Sequence, residues 1–156
     1  MRAKALSELQ MLNEQELLQK LEEFANNELN TINNYLSVYC QIKFVYENWR
    51  TKAHQALERN ADSQRHYLSK AVEWGTKMEE ITKRLLDVNA SALREGAKNF
   101  YLLLENADID GSLKIDFYEA AEEIVSLNED SANALKEAYG GTYKFACRNG
   151  RIYVVD

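Results

Sequence analysis

Apolar residues recur in alternating steps of three and four along two long stretches of the chain. This spacing places them on one face of a helix, as in helices that pack lengthwise against each other. A polar segment, residues 59–62, separates the two stretches and suits a short link. The pattern therefore predicts two long helices that fold back as an antiparallel pair. The apolar positions are Ile32, Tyr35, Tyr39, Ile42, Tyr46, Trp49, Ala53 and Ala56 in the first stretch, and Tyr67, Ala71, Trp74, Met78, Ile81, Leu85 and Val88 in the second.

Further helices are predicted on both sides of this pair. Asn13 and Glu16 form a capping pair, because each side chain can bond to the backbone N–H of the other residue, and they predict a helix that starts near Glu14. After the pair, residues 89–91 shift the apolar phase, so the second long helix either breaks there or carries a stutter. The flanking apolar stripes are Leu17, Leu18, Leu21 and Phe24 before the pair, and Leu93, Ala97, Phe100 and Leu104 after it.

The pattern changes again near the C-terminus. Two short helices are predicted over residues 118–127 and 129–139, and Asn128 introduces the second of them. Asn149 and Gly150 form a typical two-residue hairpin turn, because both central positions of that turn need a positive φ. The segments that flank this turn therefore predict a β-hairpin.

These elements define a mainly α fold. A helical, coiled-coil-like bundle is predicted over residues 1–106, followed by an acidic helix-loop-helix and a C-terminal β-hairpin over residues 107–156. We expect the two parts to pack as one domain. The composition agrees, because a chain with no proline and only six glycines can hold long uninterrupted helices.

Charge, hydropathy and cysteine spacing argue against several functional classes of protein. A net charge of −6 argues against direct binding of nucleic acid over a broad surface. Charged residues interrupt the first twenty positions, and no apolar run is long enough to span a bilayer, so neither a signal peptide nor a membrane anchor is predicted. Cys40 and Cys147 lack the close spacing of a zinc or redox pair. We predict a cytoplasmic protein.

One segment carries a pattern typical of metal binding. Residues 108–119 read Asp-Ile-Asp-Gly-Ser-Leu-Lys-Ile-Asp-Phe-Tyr-Glu, which resembles the calcium loop of the EF-hand family. A hard cation takes six to eight oxygen ligands, and a tight loop that turns alternate side chains inward supplies them. The resemblance implies a bound calcium ion between two helices. Its ligands would be Asp108, Asp110, Ser112, Lys114 through its backbone carbonyl, Asp116 and Glu119.

The segment departs from the family at its turn. Leu113 stands where the family carries a glycine, and Gly111 comes two residues early. A left-handed backbone at leucine costs about 1 kcal/mol or more, which weakens binding about tenfold. The alternative interpretation is an Asp-Gly turn that caps the following helix, where Asp116 and Glu119 suit a helix N-terminus.

Signals for catalysis are missing from the sequence. His54 and His66 are the only histidines, and no Glu-x-x-His pair of the kind found in di-iron bundles occurs. No glycine-rich phosphate loop and no nucleophile motif occurs either. We therefore predict that the protein is not an enzyme.

The distribution of charge and aromatic residues favours binding to proteins. Residues 50–70 carry five basic residues against two acidic ones, whereas residues 105–137 carry ten acidic residues against two lysines. The tyrosine-rich seam of the first long helix also suits a homodimer contact. We predict a non-enzymatic protein-protein interaction module that calcium modulates at residues 108–119. The alternatives are a calcium sensor or buffer, and an acidic inhibitor that occupies a nucleic-acid-binding protein.

Overall fold

The computed structural model describes residues 9–26, 32–56, 61–139, 144–148 and 151–155. In this part of the chain it has five helices followed by two strands. The helices are α1 (Glu14–Asn26), α2 (Ile32–Ala56), α3 (Ala61–Leu86), α4 (Ala90–Asn106) and α5 (Gly111–Tyr139), and the strands are β1 (Lys144–Arg148) and β2 (Arg151–Val155).

Helices α2 and α3 pack antiparallel and form the most extensive helix contact of the bundle, which confirms the predicted pair. Gly75 of α3 lies against the ring of Tyr46 on α2, where an added Cβ would come within 3.1 Å of a ring carbon. The glycine therefore lets the two helices approach closely at this level. The link between them, residues 57–60, lies outside the described residues.

Helix α1 begins at the predicted residue. The N–H of Asn13 donates to Glu16 Oε1 (3.0 Å), and the N–H of Glu16 donates to Asn13 Oδ1 (2.8 Å), so the capping box is complete. The buried amide of Gln41 holds the preceding backbone, because it accepts from the N–H of Leu12 (2.8 Å) and donates to the carbonyl of Gln10 (2.9 Å). These bonds fix the approach of α1 to α2.

The second apolar seam breaks after α3 and does not continue through a stutter. Residues 87–89 separate α3 from α4, and the side chain of Asn89 caps α4 by accepting from the N–H groups of Ser91 (2.9 Å) and Ala92 (3.3 Å). The change of apolar phase in the sequence therefore marks a new helix.

The prediction of two short helices between residues 118 and 139 is wrong. One continuous helix, α5, passes through Asn128. The Asn128 side chain is buried, and its amide nitrogen donates to the carbonyls of Leu85 (3.2 Å) and Val88 (2.9 Å) at the end of α3. The Leu85 carbonyl also accepts from the N–H of Val88 (3.2 Å), and Val88 lies just beyond the helix. Asn128 therefore binds the end of α3 and the residues that follow it, and it does not start a helix.

One buried cluster joins all five helices. Its largest fully buried side chains include Leu17 of α1, Leu36 of α2, Trp74 of α3, Phe100 of α4 and Phe117 of α5. Among the residues that the structure describes, no helix is both long and apolar enough to cross a membrane.

The aromatic seam of α2 packs within the bundle. Tyr39 is 3% exposed, and Tyr35, Tyr46 and Trp49 are partly buried against the same cluster. Most of the surface predicted as a dimer contact is therefore used inside the chain.

The two strands pair antiparallel. Phe145 lies opposite Val154, and Cys147 lies opposite Ile152. The backbone of β1 lies beside α3 and α5. The predicted turn residues, Asn149 and Gly150, lie outside the described residues.

Candidate functional site

Residues 108–119 do not form a twelve-residue loop. Helix α4 ends at Asn106 and α5 begins at Gly111, so only residues 107–110 connect them. Asp110 caps α5, because its carboxylate accepts from the hydroxyl and from the N–H (3.1 Å) of Ser112. These two bonds stabilise the carboxylate and hold the pKa of Asp110 below its usual value. The bond from the hydroxyl has the larger effect and the bond from the N–H the smaller one. This geometry matches the capping Asp-Gly turn of the alternative interpretation, but Asp116 and Glu119 lie beyond the first turn of α5 and not at its N-terminus.

The predicted calcium ligands do not converge on one point. Asp108 lies exposed on the short loop, while Ser112 and Lys114 lie on the first turns of α5. The ammonium of Lys114 donates to the carbonyl of Glu105 near the end of α4 (3.1 Å), so this side chain ties the two helices together. Over the described ranges, no group of three or more histidine, cysteine, aspartate or glutamate side chains is placed to hold a metal ion.

Asp116 and Glu119, the last two predicted ligands, line a cleft between α2 and α5. The cleft has a volume of about 530 Å³. Both residues are exposed and lie three positions apart on α5, so they occupy the same side of the helix. Glu47 of α2 and Glu123 of α5 add two more carboxyl groups to the lining. We call this feature the acidic cleft.

The floor of the acidic cleft is apolar and fixed to the core. Phe44, Leu113 and Ala120 line it and are more buried than the carboxyl groups at its rim. The ring of Phe44 packs edge-on against that of the fully buried Phe117, with 5.0 Å between ring centroids. The cleft therefore offers a preformed apolar surface surrounded by carboxylates.

Among the described residues, only one carboxyl group of the acidic cleft has an ion pair. Lys43 of α2 reaches Glu123 with 2.8 Å between Nζ and Oε2. Glu47, Asp116 and Glu119 have no ion pair within the described part of the chain. As far as the described ranges extend, these three carboxylates are available to a positively charged group.

The α2 side of the acidic cleft could not be predicted from the sequence. Lys43, Phe44 and Glu47 lie on α2, far along the chain from Asp116 and Glu119. A basic, an apolar and an acidic residue within one helix turn are ordinary in a surface helix. Only the packing of α5 on α2 gives them a common role.

A second acidic group on α5 has a different environment. Arg94 of α4 contacts Glu122 through two bonds (2.8 and 2.9 Å) and Glu129 through two more (2.9 and 2.6 Å). The hydroxyl of Tyr101 also donates to Glu122 (2.5 Å). Bonds from Arg94 are the main reason that the pKa values of both glutamates lie below their usual value. We call Arg94, Tyr101, Glu122 and Glu129 the arginine cluster.

The two histidines lie near the residue 57–60 link of the α2–α3 pair, His54 on α2 and His66 on α3. His66 packs against the rings of Trp49 (6.0 Å between centroids) and Tyr67 (5.5 Å). His54 is exposed and lines a groove between α2 and α3. Neither histidine belongs to a metal-binding group of the described residues.

No protein-family model matches this chain, and no curated protein or solved structure matches it either.

Proposed function

We propose that this protein is a non-enzymatic protein-protein interaction module whose acidic cleft receives a basic, partly apolar segment of a partner protein. The observation that carries the proposal is the position of Glu47, Asp116 and Glu119. Their carboxylates surround an apolar floor, and they have no ion pair within the described residues.

The chemistry of the acidic cleft selects this class of ligand. The rim favours arginine or lysine, although each exposed ion pair contributes only about 0.2–1 kcal/mol. The floor favours an apolar side chain, at about 25 cal/mol per Å² of apolar surface removed from water. A segment that presents both kinds of side chain, such as a basic amphipathic helix, satisfies the rim and the floor together.

The shape of the site favours an inserted segment over mimicry of nucleic acid. An acidic inhibitor of a nucleic-acid-binding protein presents carboxylates on a protruding surface that enters a basic groove. Here Asp116, Glu119 and Glu47 border a concave space between two helices. The structure therefore supports a partner that protrudes and a cleft that receives it.

Binding of a synthetic peptide tests the proposal. The probe is a fluorescent amphipathic helix of about 15 residues with leucines on one face and arginines on the other. We expect saturable binding that Glu119→Lys weakens at least about tenfold, because the substitution reverses one rim charge and places a cation against the incoming arginines. The matched control is Glu95→Lys, which reverses a charge on an exposed glutamate of α4 outside the cleft. Equal binding to both variants would overturn the proposal.

The same titration examines the predicted calcium modulation. Peptide binding is measured with calcium and with a chelator, and calcium binding itself is measured by calorimetry on the native chain and on Glu119→Gln. Calcium modulation requires a saturable calcium signal that Glu119→Gln removes and a peptide affinity that changes with calcium. An unchanged affinity assigns the acidic cleft to peptide binding without calcium.

A further inference from the structure

The α2–α3 pair exposes apolar side chains near the residue 57–60 link, where α2 ends and α3 begins. Leu68 is 52% exposed and Val72 is 65% exposed, and they lie one turn apart on α3. They border the groove between α2 and α3, whose volume is about 470 Å³ and whose floor includes Ala53 and Ala71. Two large apolar side chains one turn apart in solvent form a ridge that a partner can bury.

Two arginines flank this ridge, while Glu79 lies further along α3 in the groove lining and pairs with Lys83 (3.5 Å between Nζ and Oε1). Arg65 lies three positions before Leu68 on α3, and Arg50 lies across the groove on α2. Both arginines are exposed, and neither has an ion pair within the part of the chain that the structure describes. We call Arg50, Arg65, Leu68 and Val72 the basic end.

The basic end and the acidic cleft are complementary in two respects. Arginines and carboxylates that have no ion pair in the described segments correspond to each other, and an exposed apolar ridge corresponds to an apolar floor. They use neighbouring sides of α2, since Arg50 faces the groove toward α3 while Glu47 and Phe44 face the cleft toward α5. Two surfaces on neighbouring sides of one packed bundle cannot reach each other within the same chain.

We propose that the acidic cleft of one copy receives the basic end of a second copy, so that chains of this protein associate head to tail. This inference rests on the proposed function, because it names the partner that fills the same cleft. The contact is heterologous: each copy uses one surface as donor and the other as receptor. Each added copy leaves one free cleft and one free basic end, so assembly continues with concentration and does not stop at a twofold dimer.

Sedimentation velocity on the full chain tests this inference with two variants. Glu119→Lys disables the cleft and keeps the basic end, while Val72→Glu disables the basic end and keeps the cleft. Both positions are exposed, so both variants retain the fold. The matched controls are Glu95→Lys and Leu102→Glu, which make the same chemical changes at exposed positions of α4.

We expect the average mass of the native chain to rise over a hundredfold concentration range that brackets about 100 µM, the weak range for a small contact. Each variant alone stays at 18.0 kDa over this range. An equimolar mixture of the two variants forms a complex of two chains and nothing larger, because only one cleft and one basic end remain active. The control variants assemble like the native chain.

Three results overturn the head-to-tail contact: a native chain that stays monomeric, variants that assemble as well as the controls, or a mixture that does not form the two-chain complex. The peptide titration separates these failures from failure of the proposed function. If the chain stays monomeric while the arginine-leucine peptide still binds to the cleft, the cleft serves another partner. If the peptide does not bind either, both proposals fail.

Discussion

Two groups of acidic residues on α5 have opposite surroundings. In the arginine cluster, Glu122 and Glu129 share four hydrogen bonds with Arg94. In the acidic cleft, Asp116 and Glu119 lie on the same helix but have no ion pair within the described residues. The acidic residues of this helix therefore have two separate structural roles. One group joins α4 to α5, and the other leaves charge exposed at a cleft.

Removal of Arg94 has the largest expected effect on stability. Arg94→Ala leaves Glu122 and Glu129 close together without their cation, and we expect the free energy of unfolding to fall by about 2 kcal/mol. The loss is smaller than in a fully buried network because the three side chains remain 28 to 33% exposed. Urea unfolding at pH 7 measures it, with Lys98→Ala on the same helix as control. A loss no larger than that of the control would show that the cluster is not structural.

The same variant has a distinct pH dependence. Because Arg94 holds the pKa values of Glu122 and Glu129 below 4.5 in the folded chain, their contribution is complete above about pH 4.5 and is lost as the pH falls through the lowered values. We expect the difference in unfolding free energy between the native chain and Arg94→Ala to be constant from pH 7 to about pH 5 and to shrink below it. A difference that grew on acidification would contradict this assignment.

Removal of Lys43 is expected to lower stability less than removal of Arg94 and to strengthen peptide binding. Lys43 is 18% exposed, but its partner Glu123 is 69% exposed and can be solvated alone. We expect Lys43→Ala to lower the free energy of unfolding by about 1 kcal/mol, through the lost ion pair and the lost packing of the lysine stem. The cleft becomes more negative, so the arginine-leucine peptide should bind more tightly. Weaker peptide binding would show that Lys43 shapes the cleft.

Neutralisation of the cleft has the smallest expected effect on folding. The triple variant Glu47→Gln, Asp116→Asn, Glu119→Gln removes three like charges that have no ion pair among the described residues. We expect the free energy of unfolding to change by less than about 0.5 kcal/mol, in the stabilising direction. Peptide binding should be lost in the same variant. A large destabilisation would mean that these carboxylates, like those of the arginine cluster, support the fold.

The regular parts of the fold could be predicted because local signals agree there. The three-and-four spacing from Ile32 onward indicates the long pair, and the capping box at Asn13 and Glu16 fixes the start of α1. Each of these features depends on residues within a few turns of one another. The sequence contains all of the information they need.

The prediction of two short helices in place of α5 was wrong because contacts between distant parts of the chain determine the structure there. Asn128 indicates a helix start in isolation, yet it serves the end of α3 from inside α5. Asp110 and Ser112 match calcium ligands by spacing, yet a helix that begins at Gly111 places them in a cap. The acidic cleft needs Glu47 from a distant helix, and no local pattern contains that relation.

The amide of Asn128 has a consequence for the way this bundle comes apart. The end of α3 and the residue beyond it are bonded to a side chain some forty positions further along the chain, so detachment of α5 removes these bonds from the end of α3. Fraying of one helix is thereby linked to the release of another, and the two behave as one cooperative unit. In native-state hydrogen exchange, amides near the end of α3 should therefore open together with the middle of α5, at a higher free energy than helix ends usually show.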